Sequence, residues 1–234
     1  FAIFRRDPFM FQIATVVFLY YASVWAMVST LMVYVTRNLH FSSVTVGWLL
    51  SSYGFSTMFS EAILVRLIVP KIGELPAMRI GLLAFALQGI IVAFSTSPEH
   101  IFASLLCSML TNLVYPSVSA LVSKVVNENE IGEALGSLNG IKAMTEGFGP
   151  LLFGLLMKLF ESTYIPGIPY LLTSFCVIWA FLHSLEMPKD VMVTGMKYSS
   201  IRGTNVGLDG GIFGDYTNKK YDNNNSENNN DNDN

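Results

Sequence analysis

The sequence predicts an all-α membrane protein with six transmembrane helices, and three observations lead there. Of 234 residues, 52% are hydrophobic and only 13% charged, against about 25% charged in an ordinary soluble domain. The apolar residues fall into runs able to supply the roughly 20 residues that a bilayer-crossing helix needs. Counted as six, those runs leave nearly all the Lys and Arg at their ends on one side.

The first span covers about residues 9–36, after Arg5, Arg6, Asp7 and Pro8. The second, 44–69, stops before Pro70, Lys71, Ile72, Gly73 and Glu74. The third covers 77–95, and the fourth covers 101–123 with Pro116 inside it. The fifth, 131–160, follows a polar connector from Asn127 to Glu133 that reads as a helix approach. The sixth, 169–187, ends at Pro188 and Lys189. Residues 1–188 thus form one transmembrane bundle, whose short connectors favour antiparallel neighbours. The remaining 189–234 form a tail rich in Asn. It cannot bury enough apolar surface to offset its ordering entropy, so a disordered tail is expected.

Orientation follows from the basic residues near span ends. Arg5, Arg6, Arg66, Lys71, Arg79, Lys124 and Lys189 share one side, while Arg37 and Lys158 lie on the other. The first side is expected to be cytosolic, which places both chain ends in the cytosol.

Several function classes drop out. Cys107 and Cys176 sit in apolar runs as small hydrophobes, and His40, His100 and His183 are scattered, so neither a metal site nor a disulfide framework is expected. There is no phosphate-binding glycine loop, no nucleophile elbow and no metalloprotease motif, hence no enzyme chemistry and no cofactor. Basic residues are too few for nucleic acid. The expected partners are the bilayer and a small organic solute.

The fifth span carries the densest signal. Ionisable residues inside a bilayer are costly and mark functional sites by default, and this span holds Lys142 and Glu146. With an apolar core beginning near Leu135, Lys142 lies about 10 Å deep and Glu146 about 17 Å deep, near the bilayer middle. Four residues apart, they share a face, which Asn139 extends. They read as a pathway for solute or protons, as a Lys142–Glu146 pair that locks the bundle, or, for Lys142 alone, as a side chain snorkelling to the boundary. Gly140, Gly147, Gly149, Pro150 and Gly154 permit close packing or bending.

Glu61, in the second span, reads equally as a proton-titrating group or as a partner of Arg66 or Lys71. Neutral polar groups complete the set: Tyr20, Tyr21, Ser23 and Trp25 in the first span, Gln88 in the third, and Asn112, Tyr115, Ser117 and Ser119 around Pro116. They suit a small neutral or amphipathic solute or, equally, hydrogen bonds between helices.

In order and spacing, several motifs resemble those of a known family: Arg6 to Phe9, Pro116 to Ser123, Gly140 to Lys142, Gly147 to Gly154, and Ile165 to Pro169. Together they resemble the C-terminal six-helix half of a major facilitator superfamily transporter, with specific likeness to the hippocampus abundant transcript family and its tetracycline-exporter relatives. The resemblance implies a 3+3 inverted repeat, half of a twelve-helix fold that works by alternating access, and therefore a missing N-terminal half as partner. It implies secondary active transport of a small organic solute, with Glu61, Lys142 and Glu146 as the groups for proton coupling or substrate binding. Sugars and similar solutes come first and drug-like export second. The alternatives are a non-transporting scaffold or trafficking factor, and a homodimeric half-transporter. Of the superfamily's cytosolic loop motif, Lys71 and Gly73 remain, whereas Pro70 and Glu74 depart from it. The Gly-Pro segment resembles an antiporter motif that belongs to the other half, so here it implies packing and bending.

Overall fold

A computed structural model describes residues 8–126, 128–160 and 167–187, all within the first of two units, Phe1–Lys197. Every regular element among them is helical: α1 (Pro8–Arg37), α2 (Ser43–Phe59), α3 (Val65–Ile72), α4 (Glu74–Ala93), α5 (Pro98–Thr111), α6 (Val114–Val125), α7 (Ile131–Phe160) and α8 (Ile168–Leu185). A short 3-10 turn, Glu128–Glu130, leads into α7. Arg5, Arg6, Lys189 and the tail expected over 189–234 lie outside the described residues.

Among the described residues, five segments are long and apolar enough to cross a membrane, namely Phe9–Arg37, Glu74–Ala93, Pro98–Val125, Glu128–Phe160 and Ile168–Leu185. The expected second span differs. Its helical path runs from Ser43 to Ile72, but a π-turn at Ser60–Leu64 divides it. There the Val65 N–H reaches back five residues to the Ser60 carbonyl, one residue wider than an α-turn. The widening accompanies a lateral contact, because the Ser60 hydroxyl donates to the Met109 carbonyl. One turn earlier, Ser56 Oγ meets Ser108 Oγ at 3.2 Å. The path begins at Ser42, whose hydroxyl caps the Thr45 N–H.

The expected fourth span is likewise two helices, meeting at Asn112 and Leu113. Pro116 is the physical reason: it has no N–H to offer the Asn112 carbonyl, and it sits in the first turn of α6, where N–H groups go unpaired in any case. The third span closes on this break through Gly81. A Cβ there would stand 2.6 Å from Val114 Cγ2 and 3.1 Å from the Leu110 carbonyl.

Contacts set the helix directions. Along the α1–α7 seam residue numbers rise together: Tyr21 with Lys142, Trp25 with Gly149, and Arg37 with Lys158 around one cavity. These two helices are therefore parallel. α4 and α8 are antiparallel, since Arg79 Nη2 donates to the Ser184 carbonyl at one end and Gly167 abuts Ala93 at the other. Gly73, at φ 88° and ψ 163°, makes the sharp turn between α3 and α4, a conformation open to glycine and costly for a residue with a Cβ. Beside it, Lys124 bonds Glu74 at 2.5 Å. Lys71, Arg79 and Lys124 thus gather at one end of the bundle, and Arg37 and Lys158 at the other.

Candidate functional site

α7 buries one narrow stripe, Ala134, Leu138, Ile141, Thr145 and Gly149, at helical spacings of three and four. Gly149 lets that stripe approach α1 closely: a Cβ there would stand 3.2 Å from Trp25 Cβ and 3.5 Å from the Ala22 carbonyl. Beside the stripe, Lys142 reaches between two aromatic rings. Its Nζ lies 5.3 Å from the Tyr21 centroid and 5.1 Å from the Tyr115 centroid. Those rings meet edge to face at 6.5 Å, and Tyr115 Oη donates to Asn139 Oδ1 at 3.2 Å. The negative ring faces stabilise an ammonium that has lost part of its hydration. Tyr21 stands near the middle of α1, and Tyr115 just after the α5–α6 break. The Lys142 head group is therefore level with the middle of the bundle, deeper than the boundary position considered for it from the sequence.

None of the ion pairs considered from the sequence forms among the described residues. Glu146 is exposed, one turn beyond Lys142 on the same helix, and Glu61 is exposed in the π-turn without a bond to Arg66 or Lys71. Lys142 finds ring faces instead of a carboxylate.

A second group of the expected residues meets elsewhere. Gln88 is buried and gives Nε2 to Tyr53 Oη at 2.7 Å. With Asn112, it lines a cavity of about 410 Å³ walled by α1, α2, α4 and α5. Tyr20 lines the same cavity and donates to the Thr111 carbonyl at 3.3 Å. Tyr20 and Tyr21, ring centroids 5.0 Å apart, so stand between the cavity and the lysine cage.

The other expected residues take separate places. Trp25 backs Gly149, and its buried Nε1 has no partner among the described residues. Gly147 and Gly154 face open space, so among these three glycines close packing within this chain falls to Gly149. Gly140 is exposed, and α7 continues through Pro150 without interruption. Lys71 is in the last turn of α3, before Gly73. Sequence reasoning missed Tyr53 and Phe85. A tyrosine in an apolar run is a weak signal, and nothing in the sequence ties Tyr53 to an amide in another span.

The Major Facilitator Superfamily profile matches residues 13–197. The chain is 24% identical over 209 residues to the Hippocampus abundant transcript 1 protein of Homo sapiens, covering 79% of this chain and 43% of that protein. It is 22% identical over 213 residues to the human Hippocampus abundant transcript-like protein 1, covering 83% and 42%. To the Tetracycline resistance protein, class C of Escherichia coli it is 24% identical over 123 residues, covering 53% and 31%. The chain spans less than half the length of each of these relatives.

Proposed function

The chain belongs to the Major Facilitator Superfamily, a family of multi-pass membrane transporters and not of enzymes, and from that premise we propose that it is the C-terminal six-helix half of a secondary active transporter. It moves a small organic solute by alternating access against an N-terminal half. The π-turned α2–α3 path serves as the second span and completes a set of six, which form a 3+3 inverted repeat. The end that carries Lys71, Arg79 and Lys124 faces the cytosol, by the excess of basic residues there.

One observation carries the reading: the Lys142 ammonium held between Tyr21 and Tyr115 at the middle of the bundle. A passive anchor gains nothing from a cation at that depth, where charge is costly. A half-buried cation that remains partly open, flanked by exposed Asn139 and Glu146, is placed to meet a polar group of a solute or to exchange a proton with a carboxylate. The coverage of less than half of each relative agrees with one half of a longer protein.

The test is uptake by the full protein reconstituted in liposomes, screened against organic solutes with and without an imposed proton gradient. Lys142→Gln should abolish uptake of any solute that the unaltered protein accumulates. Undiminished uptake by that variant would remove the lysine cage as the basis of the proposal.

A further inference from the structure

The cavity between α1, α2, α4 and α5 is not used by the lysine cage. Its mouth is flanked by Val28 and Leu50, 54% and 53% exposed, and its inner end holds Phe85 and Gln88, 3% and 2% exposed. Its volume of about 410 Å³ falls within the approximate range of 300–1,000 Å³ found for small-molecule sites. Among the described residues no charged one lines it; the wall is aliphatic and aromatic, interrupted by a few neutral polar groups.

Two of those groups have unused hydrogen-bonding capacity. Gln88 spends its Nε2 on Tyr53, and among the described residues no donor is bonded to its Oε1. Asn112 sits at the α5–α6 break, and its side-chain amide has no partner among the described residues. Both amides line the cavity, so a ligand group that enters it can hydrogen-bond them. A charged ligand would lose its hydration here without an opposing charge. The edges and faces of Tyr20, Tyr53 and Phe85 favour a ring.

We propose that this cavity is a binding site for an uncharged, largely apolar small molecule, anchored by hydrogen bonding to Gln88 and Asn112. Its walls come from this chain alone. Binding does not depend on transport, and a protein that moved nothing would still hold the ligand.

The experiment photolabels the purified full protein in lipid nanodiscs with three trifluoromethyl-aryldiazirines: a benzyl alcohol, the matching benzoate, and the unsubstituted hydrocarbon. The alcohol should label peptides that hold Met27 or Tyr53 in a saturable way, and the benzoate and hydrocarbon should not. Gln88→Leu and Asn112→Leu should each weaken the alcohol's apparent affinity by up to about tenfold, the scale of one lost hydrogen bond. Val24→Trp fills the cavity from α1 while leaving both amide residues in the sequence, and should remove the labelling. It also carries the test if an amide variant fails to fold. Labelling that survives Val24→Trp, or that ignores both amide substitutions, would overturn the proposal. So would equal saturable labelling by the hydrocarbon, which would make the cavity a slot for lipid tails, or by the benzoate.

Discussion

Lys142 and Tyr21 meet across the α1–α7 seam, the ammonium 5.3 Å from the ring centroid. A lysine so placed trades water for the negative face of a ring. Such a contact is worth from about 0.5 to about 2 kcal/mol, more as the site dries. A double-mutant cycle isolates it, since Tyr21→Leu also alters packing beside Tyr20. Thermal unfolding of Lys142→Leu, Tyr21→Leu and the double variant should give a favourable coupling of that size. Coupling near zero would mean that the ammonium is solvated and the ring only a neighbour.

Glycines sort by what a side chain would meet. At Gly167 a Cβ would fall 2.6 Å from Ala93 Cα, backbone that cannot turn aside. At Gly147 nothing lies within 4 Å. Gly167→Ala should therefore lower stability by about 1–3 kcal/mol, the usual cost of overpacking, while Gly147→Ala should stay within about 0.5 kcal/mol. Melting of the two variants in detergent checks the order. If Gly147→Ala is the more damaging, that face is covered by something other than this chain.

The same contrast shows what the sequence could and could not disclose. The start of the fifth helix at Ile131 was legible, because a long apolar run opening after Glu128–Glu130 leaves few alternatives. The breaks were not. Pro116 is visible, but a proline in a first turn and one inside a helix read alike, as uninterrupted Pro150 demonstrates. The π-turn has no signature of its own; it accompanies a contact between Ser60 and Met109 that only packing reveals. At the site, Lys142 and Asn139 stood out because charge and amides are rare in apolar runs. Their partners Tyr21 and Tyr115 were visible as residues and silent as partners, because helix spacing fixes which residues share a face and not which face a neighbour presents.

The Glu74–Lys124 bridge is an asymmetric pair, with side-chain exposures of 16% and 62%. Lys124 loses little water in making the bond, so the pair as a whole contributes no more than about 1 kcal/mol. The two halves of the pair should respond differently to removal. Lys124→Ala strands a mostly buried carboxylate, whereas Glu74→Gln leaves a solvated lysine and a neutral amide. Lys124→Ala should lower the melting temperature more than Glu74→Gln, and added salt should shrink the difference. Equal effects would show that the carboxylate is solvated after all.

Glu61 and Glu146, both exposed, are the carboxylate candidates for proton coupling, and their surroundings distinguish them. Glu61 lies in the π-turn, where Ser60 is engaged with Met109 and no cation is bonded to the carboxylate among the described residues. Glu146 lies one turn beyond Lys142 on α7 and faces outward beside it. Four positions apart, Glu146 and Lys142 are neighbours on one helix face. In the full protein, Glu146→Gln should leave solute exchange down its own gradient while abolishing the response of uptake to an imposed pH gradient. Glu61→Gln should preserve that response. An unchanged pH response in Glu146→Gln would take Glu146 out of proton coupling, and a loss confined to Glu61→Gln would move the coupling group to the π-turn.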